Sequence, residues 1–118
     1  MTRGDVVGTW RLVSYEAGDT YPMGKDAVGV LHYSPEGKVS VHIMGEGYFA
    51  YYGDYTIDGA TITHHLEMAS EPSFVGASNV RHARLRGSTL VLTGRMGARE
   101  IKVTWRRPRA RRRKSARR

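Results

Sequence analysis

Apolar and polar residues alternate with a period of two along most of this chain, and short glycine-containing segments interrupt the alternation at regular intervals. Ser34-Pro35-Glu36-Gly37, Asp58-Gly59, Arg86-Gly87 and Gly94-Arg95-Met96-Gly97 each separate stretches rich in β-branched and aromatic residues. That is the pattern of successive hairpins. It predicts strands over 8–16, 27–33, 38–44, 48–57, 60–69, 78–86, 89–94 and 98–106. No stretch carries a sustained 3.6-residue apolar period, and 14 glycines further disfavour helix. About eight short antiparallel strands can close on themselves and remove their exposed edges, leaving an interior that is filled or holds one ligand. The predicted fold is therefore all-β, a single antiparallel up-and-down barrel, with a two-sheet sandwich as the alternative.

Strand alternation sorts the side chains into two sets. In the last three strands Leu85, Leu90, Leu92, Ile101, Val103 and Trp105 share one face, and Arg84, Arg86, Thr93, Lys102, Thr104 and Arg106 share the other. The first set is expected to point inward. The same phase places Arg81 and Ala83 inside on the sixth strand, Ile62, His64, Leu66 and Met68 on the fifth, and Phe49, Tyr51, Gly53, Tyr55 and Ile57 on the fourth. Gly29, Leu31 and Tyr33 follow on the second. The expected interior is mostly apolar, with Tyr33, Tyr51, Tyr55, His64 and Arg81 as its polar members. Trp10, two residues after Gly8 at the start of the first strand, suits a plug for one end, because its large ring carries one N–H for a polar partner.

Composition narrows the picture. A chain of 118 residues has room for one core. With no cysteine there is no disulfide, thiolate metal site or cysteine nucleophile. The first residues, Met1-Thr2-Arg3-Gly4-Asp5, lead into the first strand without an apolar stretch of signal or transmembrane length, so a cytoplasmic location is expected. The formal charge of +8 is concentrated at one end, where residues 106–118 hold nine basic and no acidic residues. Setting those nine aside leaves ten bases against eleven acids in residues 1–105, a net charge of −1. The expected organisation is a barrel over 1–107 and a disordered Arg-rich tail over 108–118. Such a tail can contact phosphate backbones or an anionic surface in a salt-dependent way. It has no interleaved aromatics for base stacking.

Several ordered motifs resemble the lipocalin-like domain family of small bacterial and fungal barrels. They are Val7-Gly8-Thr9-Trp10-Arg11-Leu12-Val13-Ser14, then Gly29-Val30-Leu31-His32-Tyr33-Ser34-Pro35-Glu36-Gly37, then Gly47-Tyr48-Phe49-Ala50-Tyr51-Tyr52-Gly53-Asp54-Tyr55. Thr63-His64-His65, Phe74-Val75-Gly76, Arg81, Leu90-Val91-Leu92 and Trp105-Arg106-Arg107 continue the series. The resemblance implies a calycin-type barrel around a pocket for a small organic molecule; some barrels of related architecture bind hydrophobic ligands and some act as cyclases or isomerases. Similar sequences carry a longer insertion between the third and fourth strands, whereas here Ile43-Met44-Gly45-Glu46-Gly47-Tyr48 joins them directly. Cover for the mouth then falls to residues 71–76 or to the second subunit of a homodimer.

The candidate chemistry is confined to the interior. An arginine cannot shed its proton and is costly to bury unpaired, so Arg81 calls for a carboxylate, a carbonyl array, an internal network with Tyr33 or Tyr55, or an anionic ligand. His64 is either a satisfied barrel histidine or a proton carrier. His64 and His65 face opposite sides of one strand and cannot share a metal by simple alternation, so no metal is assigned. The sequence has no nucleophile motif, phosphate-cradling loop or dinucleotide fingerprint, and no cofactor is expected. Three functions follow in order: a binding barrel for a hydrophobic or amphipathic molecule, with Tyr33, Tyr51, Tyr55, His64 and Arg81 as ligand contacts; a cofactor-independent cyclase or isomerase of natural-product biosynthesis, with His64 and Arg81 catalytic; and polyanion binding through the tail.

Overall fold

A computed structural model describes residues 1–108. Its strands are β1 (Gly8–Ala17), β2 (Val28–Tyr33), β3 (Lys38–Met44), β4 (Tyr48–Asp58), β5 (Thr61–Ala69), β6 (Ser78–Arg86), β7 (Thr89–Met96) and β8 (Arg99–Arg106). Each pairs antiparallel with the next, and β8 returns to pair with β1, closing the barrel in sequence order. The expected strands lie within two residues of these bounds. Two short helical pieces were not expected: α1 (Arg3–Val6) and a 3-10 turn at Pro72–Phe74. Neither is long enough to show a helical period in the sequence. The Arg-rich tail falls, except for Pro108, outside the described residues.

Up-and-down connectivity gives the barrel two different ends. At one lie the turns after β2, β4 and β6 together with α1, whose Val6 is buried. Trp10 fills the space beneath, fully buried, and its indole Nε1–H donates to the Val6 carbonyl at 2.9 Å. Outside, the Arg107 guanidinium lies 4.3 Å from the centre of the Trp10 ring and donates to the Val7 and Asp5 carbonyls. Gly8 has φ of +133°, a conformation L side chains rarely adopt, and this turns the chain from α1 into β1 under Arg107. Arg3 reaches across to the Pro35 carbonyl at 3.2 Å and completes the seal. The Gly-x-Trp opening is thus an end plug.

At the other end the β1–β2, β3–β4, β5–β6 and β7–β8 connections leave a mouth. The β3–β4 link is only Gly45–Gly47, as the shortened sequence implies. Tyr33, Val39, Tyr55, Ile62, Ala83 and Leu90 pack solidly in the closed half, all buried.

Two bulges shift the inward phase. In β1 the register against β8 slips between Leu12 and Ser14, so the buried positions change from Trp10 to Tyr15 and Ala17. In the β4–β5 pair, Tyr52 faces Met68 but Gly53 faces Leu66, so β5 carries one extra residue at Glu67. Met68, expected inside with Leu66, is therefore on the outer surface, 60% exposed. Beside this bulge Gly53 is tightly overlaid: a Cβ there would overlap the His65 carbonyl oxygen and sit 3.0 Å from the Glu67 nitrogen. Gly53→Ala is expected to destabilise the protein by about 2 to 3 kcal/mol, because backbone has to move to admit the methyl group. A urea titration of both proteins checks this, and an unchanged midpoint would contradict it.

Candidate functional site

The open half of the barrel encloses a cavity of about 230 Å³. Leu31, Val41, Ile43, Leu66, Leu92, Ile101 and Val103 give it apolar walls, and Tyr15, Phe49 and Trp105 add aromatic faces. Arg95 and Met96 from the end of β7 and Phe74 from the β5–β6 connection stand at the rim. Phe74 supplies the cover that the short β3–β4 link does not, yet its side chain is still 44% exposed. In volume the cavity lies between a 150 Å³ void that takes benzene and the roughly 300–1,000 Å³ pockets of drug-sized ligands.

Its polar groups are few and organised. His64 projects inward from the centre of β5, 2% exposed, and both ring nitrogens are bonded. Nε2 lies 2.7 Å from the Tyr33 hydroxyl and Nδ1 lies 2.6 Å from the Tyr51 hydroxyl. Tyr33 is fully buried, and among the described residues its hydroxyl has no other hydrogen-bond partner. Leaving an O–H without an acceptor in an apolar interior is costly, so we assign Tyr33 as donor to Nε2. The ring proton then sits on Nδ1 and is donated to the Tyr51 oxygen. Tyr51 consequently turns its own O–H away from His64, and Tyr51 lines the cavity. This chain of two bonds, Tyr33 to His64 and His64 to Tyr51, leaves the Tyr51 O–H directed away from His64 beside the cavity, with Asn79 as its neighbour.

Charge is excluded from this chain near neutral pH. Burial pushes His64 down to about 3, helped by the positive charge of Arg81 and by His65. Burial likewise raises the Tyr51 hydroxyl to about 12, against the opposing pull of Asn79 and Arg81. Tyr33 is pushed well above its ordinary value, first by burial and then by Tyr51 and Tyr55. All three groups are neutral over the physiological range.

Arg81 provides the positive charge. It sits half-buried on β6, lining the cavity, and lies close over Gly94 of β7, where a Cβ would be 2.6 Å from its Nη1. Its guanidinium donates to the carbonyl of its neighbour Val80 at 3.1 Å and, among the described residues, has no carboxylate partner. The internal network with Tyr33 or Tyr55 is not formed. No Asp or Glu lines the cavity among the described residues.

Of the five interior polar residues expected from the sequence, Tyr51, His64 and Arg81 meet around the cavity. Tyr33 stands behind His64 and supports it. Tyr55 belongs to the closed end: its ring packs 4.6 Å from that of Tyr33 and its hydroxyl donates to the Ser34 carbonyl at 2.8 Å. Sequence reasoning passed over Asn79 and Tyr15. Asn79 shares the parity of Arg81 on β6, a signal that was present; Tyr15 was hidden by the bulge after Leu12. Among the described residues no group of three His, Asp or Glu is placed to hold a metal ion.

A family model described as "Lipocalin-like domain" matches this sequence over residues 7–47 and 43–109. Among solved structures, the fold is similar to a lipoprotein YedD from Klebsiella pneumoniae, with a TM-score of 0.54 and 16% identity, covering 88% of this chain and 73% of that one. A search of curated proteins gave no match. No helix among the described residues is long and apolar enough to cross a membrane.

Proposed function

This chain belongs to the lipocalin-like domain family, and from that premise we propose that its open end holds one small amphipathic molecule bearing a carboxylate or carbonyl group. The observation that carries the reading is the pairing of an uncompensated Arg81 with the Tyr51 donor in an otherwise apolar cavity. A few convergent polar groups in an apolar pocket are the general form of a small-molecule site. Arg81 offers a charged fork at the mouth, Tyr51 a neutral donor inside, and the aromatic walls take the apolar body. Scaling from the benzene cavity, the enclosed part of the ligand has roughly nine non-hydrogen atoms. The cytoplasmic setting expected from the sequence belongs to the same proposal.

The cyclase or isomerase alternative would use the same groups, with Arg81 holding an enolate and His64 moving the proton. A ring held on both nitrogens and neutral down to about pH 3 is better suited to fixing Tyr51 than to carrying a proton, which favours binding.

The test begins with native mass spectrometry of the protein from its own source to find a copurified molecule. Calorimetry then compares a compact aromatic or aliphatic carboxylic acid with its methyl ester. Arg81→Met is expected to weaken the acid about tenfold and leave the ester nearly unchanged, since a partly solvated charge-assisted bond is worth a little over 1 kcal/mol. Equal losses for acid and ester would remove Arg81 from the site.

A further inference from the structure

The body's net charge of −1 conceals a segregation of charge on the outside of the barrel. On β6, β7, β8 and β1, cross-strand pairing puts Arg86 opposite Thr89, Thr89 opposite Arg106, and Arg106 opposite Arg11. With strands about 4.8 Å apart, this is a row roughly 14 Å long carrying three arginines. Arg84 lies two residues along β6 from Arg86, in register with Val91, and Val91 with Thr104. Beyond that row His82, Thr93, Lys102 and Glu16 are aligned. Arg11, Arg84, Arg86, Lys102 and Arg106 are all exposed.

Two like charges directly opposite one another in a sheet repel. Nevertheless Arg11 and Arg106 face each other, and among the described residues none of these five cations has an ion-pair partner. The carboxylates closest in register are Glu16, opposite Lys102, and Glu100, opposite Arg95 near the mouth; the arginine row itself contains none. Thr89 stands between the arginines of this row, and Val91 and Thr104 continue the adjacent row from Arg84. Arginine and threonine together are the usual donors to phosphate oxygens, and a face with no exposed Phe, Tyr or Trp among the described residues has little to stack on bases.

We propose that the outer face of β6, β7, β8 and β1 binds the phosphate backbone of nucleic acid, independently of the cavity. The direction of the sequence supports this occupant. β8 ends at Arg106 within the row, and the segment that begins there, continuing outside the described residues, contains nine basic residues and no acidic ones. The partner fitted by a row of charges beside which Val13 and Val80 are exposed as separate valines is a polyphosphate backbone rather than a bilayer, which takes a continuous band of large apolar side chains. Recognition by such a face is insensitive to base sequence and strongly sensitive to salt.

The test uses the full chain and a fluorescent mixed-sequence DNA duplex, with anisotropy measured over a salt series. The triple variant Arg11→Gln, Arg84→Gln, Arg86→Gln leaves the residues after 106 intact, and its thermal melt checks folding. If each removed side chain met a phosphate, the slope of log K against log salt should become shallower by about 2.7, and affinity at moderate salt should fall at least about tenfold. If the folded variant matches the wild type in slope and affinity, or if the wild type does not bind the duplex, the proposal is overturned. It is also overturned if anionic phosphatidylserine vesicles bind and the duplex does not compete. Should the triple variant be unfolded, Arg84→Gln with Arg86→Gln alone is expected to give about two-thirds of the slope change; no change would be equally decisive against the face.

Discussion

Trp10→Ala is expected to lower stability by about 3 to 5 kcal/mol, the range for truncating a fully buried large aromatic side chain. The void would open at the closed end, where α1 and the tight turns leave little freedom to collapse inward. The loss is more than volume. The Val6 carbonyl would lose the indole N–H that anchors α1, and Arg107 would lose the ring it rests on. Trp10→Phe separates these contributions, since it keeps most of the apolar bulk and removes the donor; about 1 to 2 kcal/mol is expected from it. Urea denaturation followed by circular dichroism measures both. A loss below about 1 kcal/mol for the alanine variant would show that the end is not sealed by this ring.

Acid should destabilise the protein through His64. Its pKa is held at about 3 in the folded state against an ordinary value of 6.5, so between those limits the unfolded chain binds a proton that the folded one does not. Stability is therefore full above about pH 6.5 and declines as the pH falls, at up to roughly 1.4 kcal/mol per pH unit. The window from about pH 6 to 5 lies above most carboxylate titrations and isolates the effect. His64→Gln retains an amide for the two tyrosine hydroxyls and cannot titrate. Its slope in that window should be flatter than the wild type by about one proton. Parallel slopes for the two proteins would mean that His64 is protonated, or accessible to solvent, in the folded state.

The sequence carried the barrel more clearly than the site. Strand period and hairpin turns are local properties, and they place all eight strands within two residues. What escaped were events that depend on neighbouring strands. The bulges after Leu12 and at Glu67 reverse the inward phase without any sequence marker, which is why Met68 was expected inside and Tyr15 was overlooked. Tyr51, His64 and Arg81 were found because each is polar on an otherwise apolar face. That Tyr55 belongs to the closed end, and Tyr33 behind His64, depends on height along the barrel axis and on hydroxyl direction, neither of which parity records. The basic outer row shows the same limit: Arg84, Arg86 and Arg106 were assigned to the outside, but their alignment with Arg11 comes from closure of β8 onto β1.

The division of the barrel at His64 also bears on how such a chain can diverge. The solidly filled part of the interior, with Trp10, Tyr33 and Tyr55, lies on one side of it, while rim residues such as Phe74 and Met96 are exposed and contribute little to that packing. Drift at the rim can therefore retune what enters with only a small loss of foldedness. Substitutions at a few rim positions can then alter selectivity while the packing around Trp10 is left intact.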